Sequence, residues 1–436
     1  MRNLQRNRWQ YGPWLLLIAA LWLSPPSGRG RIEGLAGPPS SGRFVGALAS
    51  PSPNERYNGL PTAVMLQGFH WESCNFPWYK ILKENANAIR RAGFDYVWFP
   101  PPSKTADCQG YLPNEWYDVN TRYGTAAELK AAIRALKPVQ AIADVVVNHR
   151  TGTHTAGADF TNPAFKDNRA AVVQDDECQC GTGARDSGES AGFGRDLDHS
   201  NPSVQKEIGK WLRWLKSDIG FAGWRYDMVK GYGGSFVGLY NEVSKPVLSV
   251  GEYFDYDRQK VVDWIDATRG KSAAFDFPTR KWLKEALEQQ QFGRLKTTDG
   301  KPTGVIGWWP AMSVTFIENH DTEPIRQTDP FPGDKVMQGY AYILTHPGIP
   351  CVFWRYYFDW GDEQKQKLAE LIKIRKQSGI HSRSLVNIVA ADNQRYAAIV
   401  DGKVAVKIGP GDWSPGNGWR VAIDGPNYAV WTKNAE

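Results

Sequence analysis

Two charged side chains near the end of a short strand-like stretch could do chemistry. Residues 223–227 read Gly-Trp-Arg-Tyr-Asp and lie between a helix pattern over residues 203–216 and a loop that begins at Lys230. Because side chains alternate between the two faces of a strand, Arg225 and Asp227 would point the same way. An arginine in that position orients the carboxylate through a charge-assisted hydrogen bond. The alternative for this stretch alone is a structural ion pair at a strand end.

Polar side chains also end three further apolar stretches of the chain. They are Asn148 and His149 after residues 142–147, Glu252 at the end of residues 247–252, and Glu318, Asn319, His320 and Asp321 at the end of residues 313–318. Burying so many like charges for stability alone would be costly, so a shared functional site is the favoured interpretation. The chain offers no Ser-His-Asp arrangement at strand ends, no glycine-rich phosphate loop and no histidine-rich zinc cluster. Several carboxylates suit cleavage of a glycosidic bond, where one attacks or activates water and another protonates the leaving oxygen.

The elements that must position these residues alternate between strand and helix patterns from residue 61 onward. The eight predicted strands are 63–67, 96–99, 142–147, 223–227, 247–252, 274–277, 313–318 and 351–353. The eight predicted helices are 78–92, 126–136, 203–216, 235–244, 259–269, 279–290, 335–345 and 362–378. This alternation predicts an α/β fold of the (β/α)8 TIM-barrel type, whose active site lies at the C-terminal ends of the strands.

Composition shifts divide the chain into four predicted parts. Residues 1–60 form a leader and flexible segment, and the barrel occupies residues 61–149 and 198–378. Residues 150–197, rich in Gly, Asp and Ser, form a small inserted domain after the third strand, since a loop of that length is usually functional. Residues 379–436 form a C-terminal antiparallel β domain, in which Asp401-Gly402 makes a hairpin turn.

The charge of the chain is concentrated at its beginning. Of the net charge of +6, residues 1–43 contribute six arginines against one glutamate, which leaves about +1 for the remainder. No basic patch therefore argues for a nucleic-acid partner. The apolar run 14–23 follows three arginines and is too short to span a bilayer, so it fits a secretory signal rather than a stable membrane span. Export is the favoured prediction, with an uncleaved anchor or an organelle transit peptide as alternatives.

The cysteines and tryptophans give weaker indications. Five cysteines are an odd and sparse set that does not make a disulfide framework, so thiols are expected, or at most one or two bridges in an exported protein. Nineteen tryptophans suit a protein that stacks flat rings against sugars, although core filling is the alternative.

Four segments of the chain resemble the four sequence regions of the α-amylase family of glycoside hydrolases. They read Asp-Val-Val-Val-Asn-His-Arg at 144–150, Gly-Trp-Arg-Tyr-Asp-Met-Val-Lys-Gly-Tyr at 223–232, Gly-Glu-Tyr-Phe at 251–254 and Phe-Ile-Glu-Asn-His-Asp at 316–321. Longer runs, at 67–69, 109–111, 306–310 and 337–348, are similar to plant-type α-amylases in particular. The resemblance covers residues 61–436.

The resemblance implies a role for each polar residue at the strand ends. Asp227 would be the nucleophile, Glu252 the general acid and then base, and Asp321 the stabiliser of the distorted sugar, with retention of the α-anomer. Arg225 would orient Asp227. The implied sugar-binding residues beside them are Tyr111, His149, Lys230 and His320. The implied activity is endo-acting hydrolysis of α-1,4-glucosidic bonds in starch and glycogen by a monomer, with an exo-enzyme or a glucosyltransferase as alternatives.

The resemblance further implies a structural Ca²⁺ and a surface sugar site. The implied calcium ligands are Asn148, Asp186, Glu189, Asp196 and Gly231, with Glu189 and Gly231 contributing backbone carbonyl oxygens. Hard oxygen ligands suit Ca²⁺, although the acidic residues could instead be solvated turn formers. The adjacent Trp308 and Trp309 match a paired-tryptophan starch site, with core filling as the alternative.

The chain departs from the family pattern near the predicted site. The departures are Tyr226, Tyr253-Phe254, Glu323 and Trp354-Arg355-Tyr356. None of them removes a catalytic group, but each lies near a predicted subsite and therefore bears on product size.

Overall fold

The protein is described here by a computed structural model that covers residues 62–152 and 157–434. The leader predicted for residues 1–60 lies outside the described residues. Within the described residues, no helix is both long enough and apolar enough to cross a membrane.

Eight parallel strands close into a barrel, as the alternating sequence pattern predicts. In chain order they are β1 (Met65–Gln67), β2 (Tyr96–Phe99), β3 (Gln140–Val145), β4 (Gly223–Tyr226), β5 (Ser249–Gly251), β6 (Ala273–Phe275), β7 (Ser313–Thr315) and β8 (Ile349–Phe353). The ring closes because β1 pairs with both of its neighbours: Met65 lies opposite Cys351 of β8 and opposite Tyr96 of β2. Nearly all strand residues are buried, as expected of a sheet that is covered by helices on its outer side.

Eight helices surround the strands. They are α1 (Trp78–Ala92), α2 (Ala126–Leu136), α3 (Pro202–Trp214), α4 (Gly234–Ser244), α5 (Arg258–Ala267), α6 (Phe277–Gln289), α7 (Val336–Thr345) and α8 (Asp362–Gln377). Local chemistry sets several of their ends. Thr125 and Glu128 form a capping box at the start of α2, and Gly93 ends α1 at a φ of 87°, which favours glycine.

Five of the eight predicted strands, the third to the seventh, extend beyond the observed strands at their C-terminal ends. The sequence pattern extends the third strand to Val147, but the ladder ends at Val145, opposite Tyr226 of β4. Beyond this register the neighbouring chains leave the barrel, so the next residues have no ladder partner. Asn148 and His149 therefore belong to the loop that leads into the insertion.

The insertion between β3 and α3 is tied back to the barrel by a short strand pair. His149–Arg150 runs antiparallel to Arg195–Asp196, and the amide of Leu197 donates to the carbonyl of Asn148. This pairing brings the two ends of the insertion together at the C-terminal face of the barrel, beside β3 and β4.

Five antiparallel strands follow α8. They are β9 (Val386–Ala391), β10 (Tyr396–Val400), β11 (Val404–Ile408), β12 (Trp419–Gly425) and β13 (Tyr428–Lys433), in the spatial order β9-β10-β11-β13-β12. Asp401 and Gly402 make the predicted turn between β10 and β11, both with positive φ. The sheet is joined to the barrel by the hydrogen bond between Tyr396 Oη and His346 Nε2, at the end of α7.

Four of the five cysteines form disulfide bonds, so the expectation of thiols is wrong for them and the alternative of two bridges is correct. Cys74 pairs with Cys108, and Cys178 pairs with Cys180. Cys351 on β8 is a buried free thiol. The Cys74–Cys108 bridge connects the loop after β1 with the loop after β2, which carries Tyr111.

Candidate active site

Arg225 connects three carboxylates at the C-terminal end of the barrel. Its Nη1 lies 2.8 Å from Asp144 Oδ1 and 2.7 Å from Asp227 Oδ1, while Nη2 lies 2.7 Å from Glu252 Oε2. The arginine is fully buried on β4, where the strand pleat directs it to the barrel interior. A planar guanidinium with donors in a fixed fork can hold several carboxylates in set positions, which a lysine cannot do.

Asp144, which the sequence analysis did not assign, anchors this arginine from β3. It is fully buried and accepts hydrogen bonds from Trp98 Nε1 and from the Tyr111 hydroxyl, each at 3.0 Å. Burial raises the pKa of Asp144 to about 7, although the nearby Arg225 favours its charged form. The sequence feature that identifies Asp144 is a carboxylate inside an otherwise apolar buried strand.

A chain of hydrogen bonds extends from Asp144 to the loop after β7. Gln67 Nε2 lies 2.9 Å from His320 Nδ1, and His320 Nε2 lies 2.6 Å from the Tyr111 hydroxyl. An amide NH₂ can only donate, so His320 carries its proton on Nε2 and donates to Tyr111, which donates to Asp144. Burial, with a further contribution from Arg225, holds the pKa of His320 well below its usual value, so the ring is neutral.

Glu252 follows β5 and has the environment of a carboxylic acid. Burial raises its pKa well above the usual value, and Asp227 adds to this while Arg225 opposes it. Its Oε2 accepts the backbone N–H of Met228 at 3.1 Å. Met228 is held in the left-handed region at φ 43°, an uncommon conformation for a side chain of this kind that aims its N–H at Glu252.

Asp321 lies across from Glu252 on the loop after β7. Desolvation raises its pKa although the side chain is 40% exposed, whereas Arg225 and Arg326 favour the charged form and a side-chain hydrogen bond joins it to Glu252. The structure therefore brings Asp227, Glu252 and Asp321 to one mouth, around Arg225. Such an arrangement can combine an oriented carboxylate, a protonated carboxylic acid and a third acidic group on one substrate.

The predicted sugar-binding residues take different positions around this mouth. His149 is buried, with Nε2 2.7 Å from the carbonyl of Tyr111, and burial lowers its pKa so that it is neutral. Tyr111 lies nearly parallel to His320, with 5.3 Å between the ring centroids. Lys230 lies farther out, where it pairs with Glu189 at 2.8 Å and with Asp255 at 3.6 Å.

The two adjacent tryptophans are not equivalent. Trp308 is 46% exposed, and the guanidinium carbon of Arg258 lies 3.4 Å from its ring centroid. Trp309 is only partly exposed and packs against the hydrophobic core. One ring is therefore offered to solvent with a cation on one face, and the other is mainly structural.

Glu323 and Arg355, two of the residues at which the chain departs from the family pattern, form an ion pair. Arg355 Nε binds Glu323 Oε2, and Arg355 Nη2 lies 2.9 Å from Glu72 Oε2. Glu323 is fully buried, and its Oε1 accepts the backbone N–H of Trp71 at 2.8 Å. The Trp71 ring lies nearly parallel to those of Tyr111 and His320, with centroids 6.5 and 6.2 Å away. The replacements therefore build one wall of the mouth, which the sequence analysis did not recognise.

Two buried oxygen atoms, which have no hydrogen-bond partner among the described residues, belong to Asn148, which leads into the insertion, and to Asp186 within it. They are Asn148 Oδ1 and Asp186 Oδ2. A methyl group at Gly231 would lie 2.1 Å from Asn148 Oδ1, so the glycine leaves that oxygen accessible. Burial also raises the pKa of Asp196 to about 7 and that of Asp186 above its usual value. Hard, unsatisfied oxygens of this kind fit a calcium ion.

Hydrogen bonds of the predicted calcium ligands connect the insertion to the barrel. Asn148 Nδ2 donates to Asp196 Oδ1 at 2.9 Å, and the amide of Glu189 donates to the carbonyl of Lys230 at 2.9 Å. Asp176, which the sequence analysis did not single out, is buried and accepts the amide of Asp196 at 2.7 Å. Its carboxylate belongs to an acidic group that also contains Glu177.

Comparison with known proteins agrees with this geometry. Residues 377–432 match the alpha-amylase C-terminal beta-sheet domain family. The chain is 41% identical to the probable alpha-amylase 2 of Arabidopsis thaliana, over 85% of this chain and 94% of that protein. It is also 41% identical to the chloroplastic alpha-amylase 3 of Arabidopsis thaliana, over 84% of this chain and 44% of that longer protein.

Solved structures show the same fold at low sequence identity. An alpha-amylase from Malbranchea cinnamomea superposes with a TM-score of 0.64 at 17% identity, covering 87% of this chain and 97% of that one. The closed barrel, the carboxylates at its mouth, the C-terminal sheet and the long match to plant relatives all agree. The chain therefore belongs to the α-amylase family of glycoside hydrolases and is similar to its plant-type members.

Proposed function

We propose that the chain is an endo-acting α-amylase, which hydrolyses α-1,4-glucosidic bonds in starch, glycogen and related glucans with retention of configuration. The observation that carries this proposal is the position of Arg225 between Asp227 and Glu252, at 2.7 Å from each. One guanidinium holds two carboxyl groups in place while their environments differ. A pair of acidic groups in different environments is what retaining hydrolysis needs.

In the first step Asp227 attacks the anomeric carbon, and Glu252 transfers its proton to the leaving glycosidic oxygen. A bond forms between Asp227 and the sugar while the glycosidic bond breaks, and the proton remains with the released chain. The raised pKa of Glu252 keeps it protonated for this role. In the second step Glu252, now ionised, takes a proton from water, which displaces Asp227. Asp321 stabilises the positive charge that develops on the sugar ring.

The neutral histidines and Tyr111 define the proposed sugar site next to the bond that breaks. Neutral imidazoles line this site without adding a charge beside Glu252. The hydrogen-bond chain through His320 and Tyr111 fixes both rings before a substrate arrives. We propose Lys230 as a contact farther along the chain, and Trp308 with Trp309 as a surface site in which Trp308 provides the exposed ring.

We propose that Ca²⁺ binds where the insertion meets the barrel. The proposed ligands are Asn148, Asp186 and Asp196 through side chains, with Gly231 and Glu189 through carbonyl oxygens. The unpaired buried oxygens of Asn148 and Asp186 support this assignment. The ion would neutralise the buried carboxylates and hold the insertion against the loop after β4, so its role is structural.

The domain bounds, the localisation and the oligomeric state are also proposals. We propose residues 61–149 with 198–378 as the catalytic barrel, 150–197 as the insertion and 379–436 as the C-terminal domain. One relative is a chloroplastic α-amylase, which together with the apolar run in the leader supports an organellar or exported protein. We favour export as a monomer that acts on soluble or granular α-glucan.

The test is a time course of hydrolysis with the Asp227→Asn variant as the negative control. The parent chain should lower the viscosity of soluble starch early and release a broad range of oligosaccharides, and the variant should lose at least about 10³-fold in kcat. The exposed Asp334→Asn substitution should leave the rate unchanged. Near-normal activity of Asp227→Asn would refute the assignment, and release of one short product without an early drop in viscosity would indicate the exo-acting alternative.

A further inference from the structure

A second cavity opens beside the mouth, between the loop after β1 and the loop after β8. Its volume is about 450 Å³, within the range of small-ligand sites, and it is open to solvent on one side. His70 and Glu72 line it from the first loop, Trp354 and Arg355 line it from the second, and Asn85 of α1 lies at its edge. None of the residues assigned above to the chemical steps lines this cavity.

The cavity has an aromatic wall. Phe76 is 47% exposed, and its ring lies 6.5 Å from that of Trp78. Trp78 in turn contacts Trp354 edge to face at 5.1 Å, and Trp354 stacks on Phe358 at 4.1 Å. The four rings are therefore continuous, and Phe76 presents its ring to solvent at the entrance. Flat apolar faces at an open site suit the faces of sugar rings.

A buried polar side chain lies in the wall of this cavity. His70 is only 5% exposed, and its Nδ1 is shut off from solvent. Burial, with a contribution from Arg355, lowers the pKa of His70 to about 3, so the ring is neutral. His70 therefore adds no charge to the wall.

The charges around the cavity are balanced, which indicates the class of ligand. Arg355 is the cation at the wall, and it is already bound by Glu323 and Glu72, with Asp359 3.9 Å away. The wall therefore has no surplus of positive charge to attract a phosphate or an acidic ligand. It offers aromatic faces together with amide, imidazole and carboxylate groups, which suit a neutral ligand rich in hydroxyl groups.

The wall of this cavity is also a wall of the active site. Glu72 and Arg355 line the cavity on one side, and Glu323, which Arg355 binds, accepts the backbone N–H of Trp71. Trp71 faces Tyr111 and His320 at the mouth. The cavity and the mouth therefore lie on opposite sides of one wall.

We propose that this cavity, here named the Phe76 pocket and formed by His70, Glu72, Phe76, Trp78, Trp354 and Arg355, is an accessory binding site for α-glucan chains. The ligand class rests on the function proposed above. The glucosyl units stack on the exposed ring of Phe76, while the half-exposed carboxylate of Glu72 and the amide of Asn85 bind hydroxyl groups. The site binds a glucan chain separately from the mouth.

The test is calorimetry, in which maltoheptaose is titrated into the full chain. The substitution Glu252→Gln makes the chain inactive, so that the ligand is not hydrolysed. In this background Asn85→Trp places a bulky ring at the edge of the pocket, and Lys83→Trp is the matched control on an exposed position of the same helix. The parent and Lys83→Trp should bind maltoheptaose at the mouth, at the pocket and at the proposed Trp308 site. Asn85→Trp should lose the pocket event, and Phe76→Ala should weaken that event about tenfold.

Thermal unfolding of each variant shows that it is folded. The inference is overturned if both Asn85→Trp and Phe76→Ala bind with the stoichiometry and affinity of Lys83→Trp, or if the parent shows one event only. Hydrolysis of maltoheptaose by the unmodified chain separates this result from the function itself. A chain that hydrolyses it but shows no effect of the pocket variants disproves the pocket alone, whereas a chain that does not hydrolyse it disproves the proposed function.

Discussion

The three contacts of Arg225 make the substitution Arg225→Lys a sharp test of the active site. A lysine ammonium at the position of Nη1 can keep Asp144 and Asp227 but leaves Glu252, which Nη2 binds at 2.7 Å, without its partner. One charge-assisted hydrogen bond is worth about 1.5–3 kcal/mol. If that bond supports the transition state, kcat/KM for maltoheptaose should fall roughly 10- to 150-fold. Steady-state kinetics with a reducing-sugar assay measure the change.

The same variant should change the pH dependence of the reaction in one direction. Arg225 opposes the rise in the pKa of Glu252 that burial causes. Loss of the direct contact removes part of this opposition, so the pKa of Glu252 rises further. Because the proposed role of Glu252 as general acid requires its protonated form, the alkaline limb of the kcat/KM profile should move to higher pH.

Arg280→Lys provides the matched control. Arg280 is a fully buried arginine that binds Glu318 and Asp329 instead of Asp144, Asp227 and Glu252. This variant should lose stability in thermal unfolding but keep the alkaline limb of the parent. An unchanged rate for Arg225→Lys, or an alkaline limb that moves to lower pH, would refute the role given to Arg225.

Three further predictions follow from contacts of single residues. Gly231→Ala places a methyl group against the buried amide oxygen 2.1 Å away, so calcium should no longer raise the Tm relative to a chelator. Glu323→Gln and Arg355→Gln should show a coupling of about 1–3 kcal/mol in a double-mutant cycle of unfolding free energies, because the pair is largely buried. Replacing Cys74 and Cys108 by serine should lower the unfolding free energy by about 3–4 kcal/mol in urea, since the bridge closes a loop with a sequence separation of 34 residues.

Each of these three predictions has a control variant or an outcome that would contradict it. Gly233→Ala, where the nearest atom would lie 3.5 Å away, should keep the calcium-dependent rise in Tm, and the calcium assignment fails if Gly231→Ala keeps it too. Additive effects of the two substitutions at the ion pair would show that the pair is not coupled. Replacing Cys178 and Cys180, only 2 residues apart, should cost about 1.5 kcal/mol, so a larger loss there than at Cys74–Cys108 would contradict the loop argument.

The sequence predicts the fold well because each local signal agrees with the barrel. The bounds of α1 and α2 are predicted to the residue, since Gly93 ends the first and the Thr125–Glu128 box begins the second. Strand ends are predicted less well, because a strand ends where its neighbour leaves the ladder. The apolar residues Val146 and Val147 continue the sequence pattern of β3 after its partners are gone.

The sequence predicts those residues of the candidate site that lie at the ends of strands. Asp227 and Glu252 stand out because a carboxylate after an apolar run is unusual, whereas Asp144 is hidden inside such a run. Glu323 and Arg355 were each visible as departures, but their pairing joins loops that lie 32 residues apart in the chain. A contact of this kind depends on how the barrel brings its loops together, which no local pattern contains.

The closure of the barrel has a consequence for the protein while it is being synthesised. The first strand has no partner on one side until β8, at Ile349–Phe353, has left the ribosome. The acidic groups Asp227, Glu252 and Asp321 follow β4, β5 and β7, and the loops after β1 and β8 build the wall beside Trp71. A nascent chain therefore carries Asp227 for about 120 residues without a formed cleft, and its activity is expected to begin only after β8 has been synthesised.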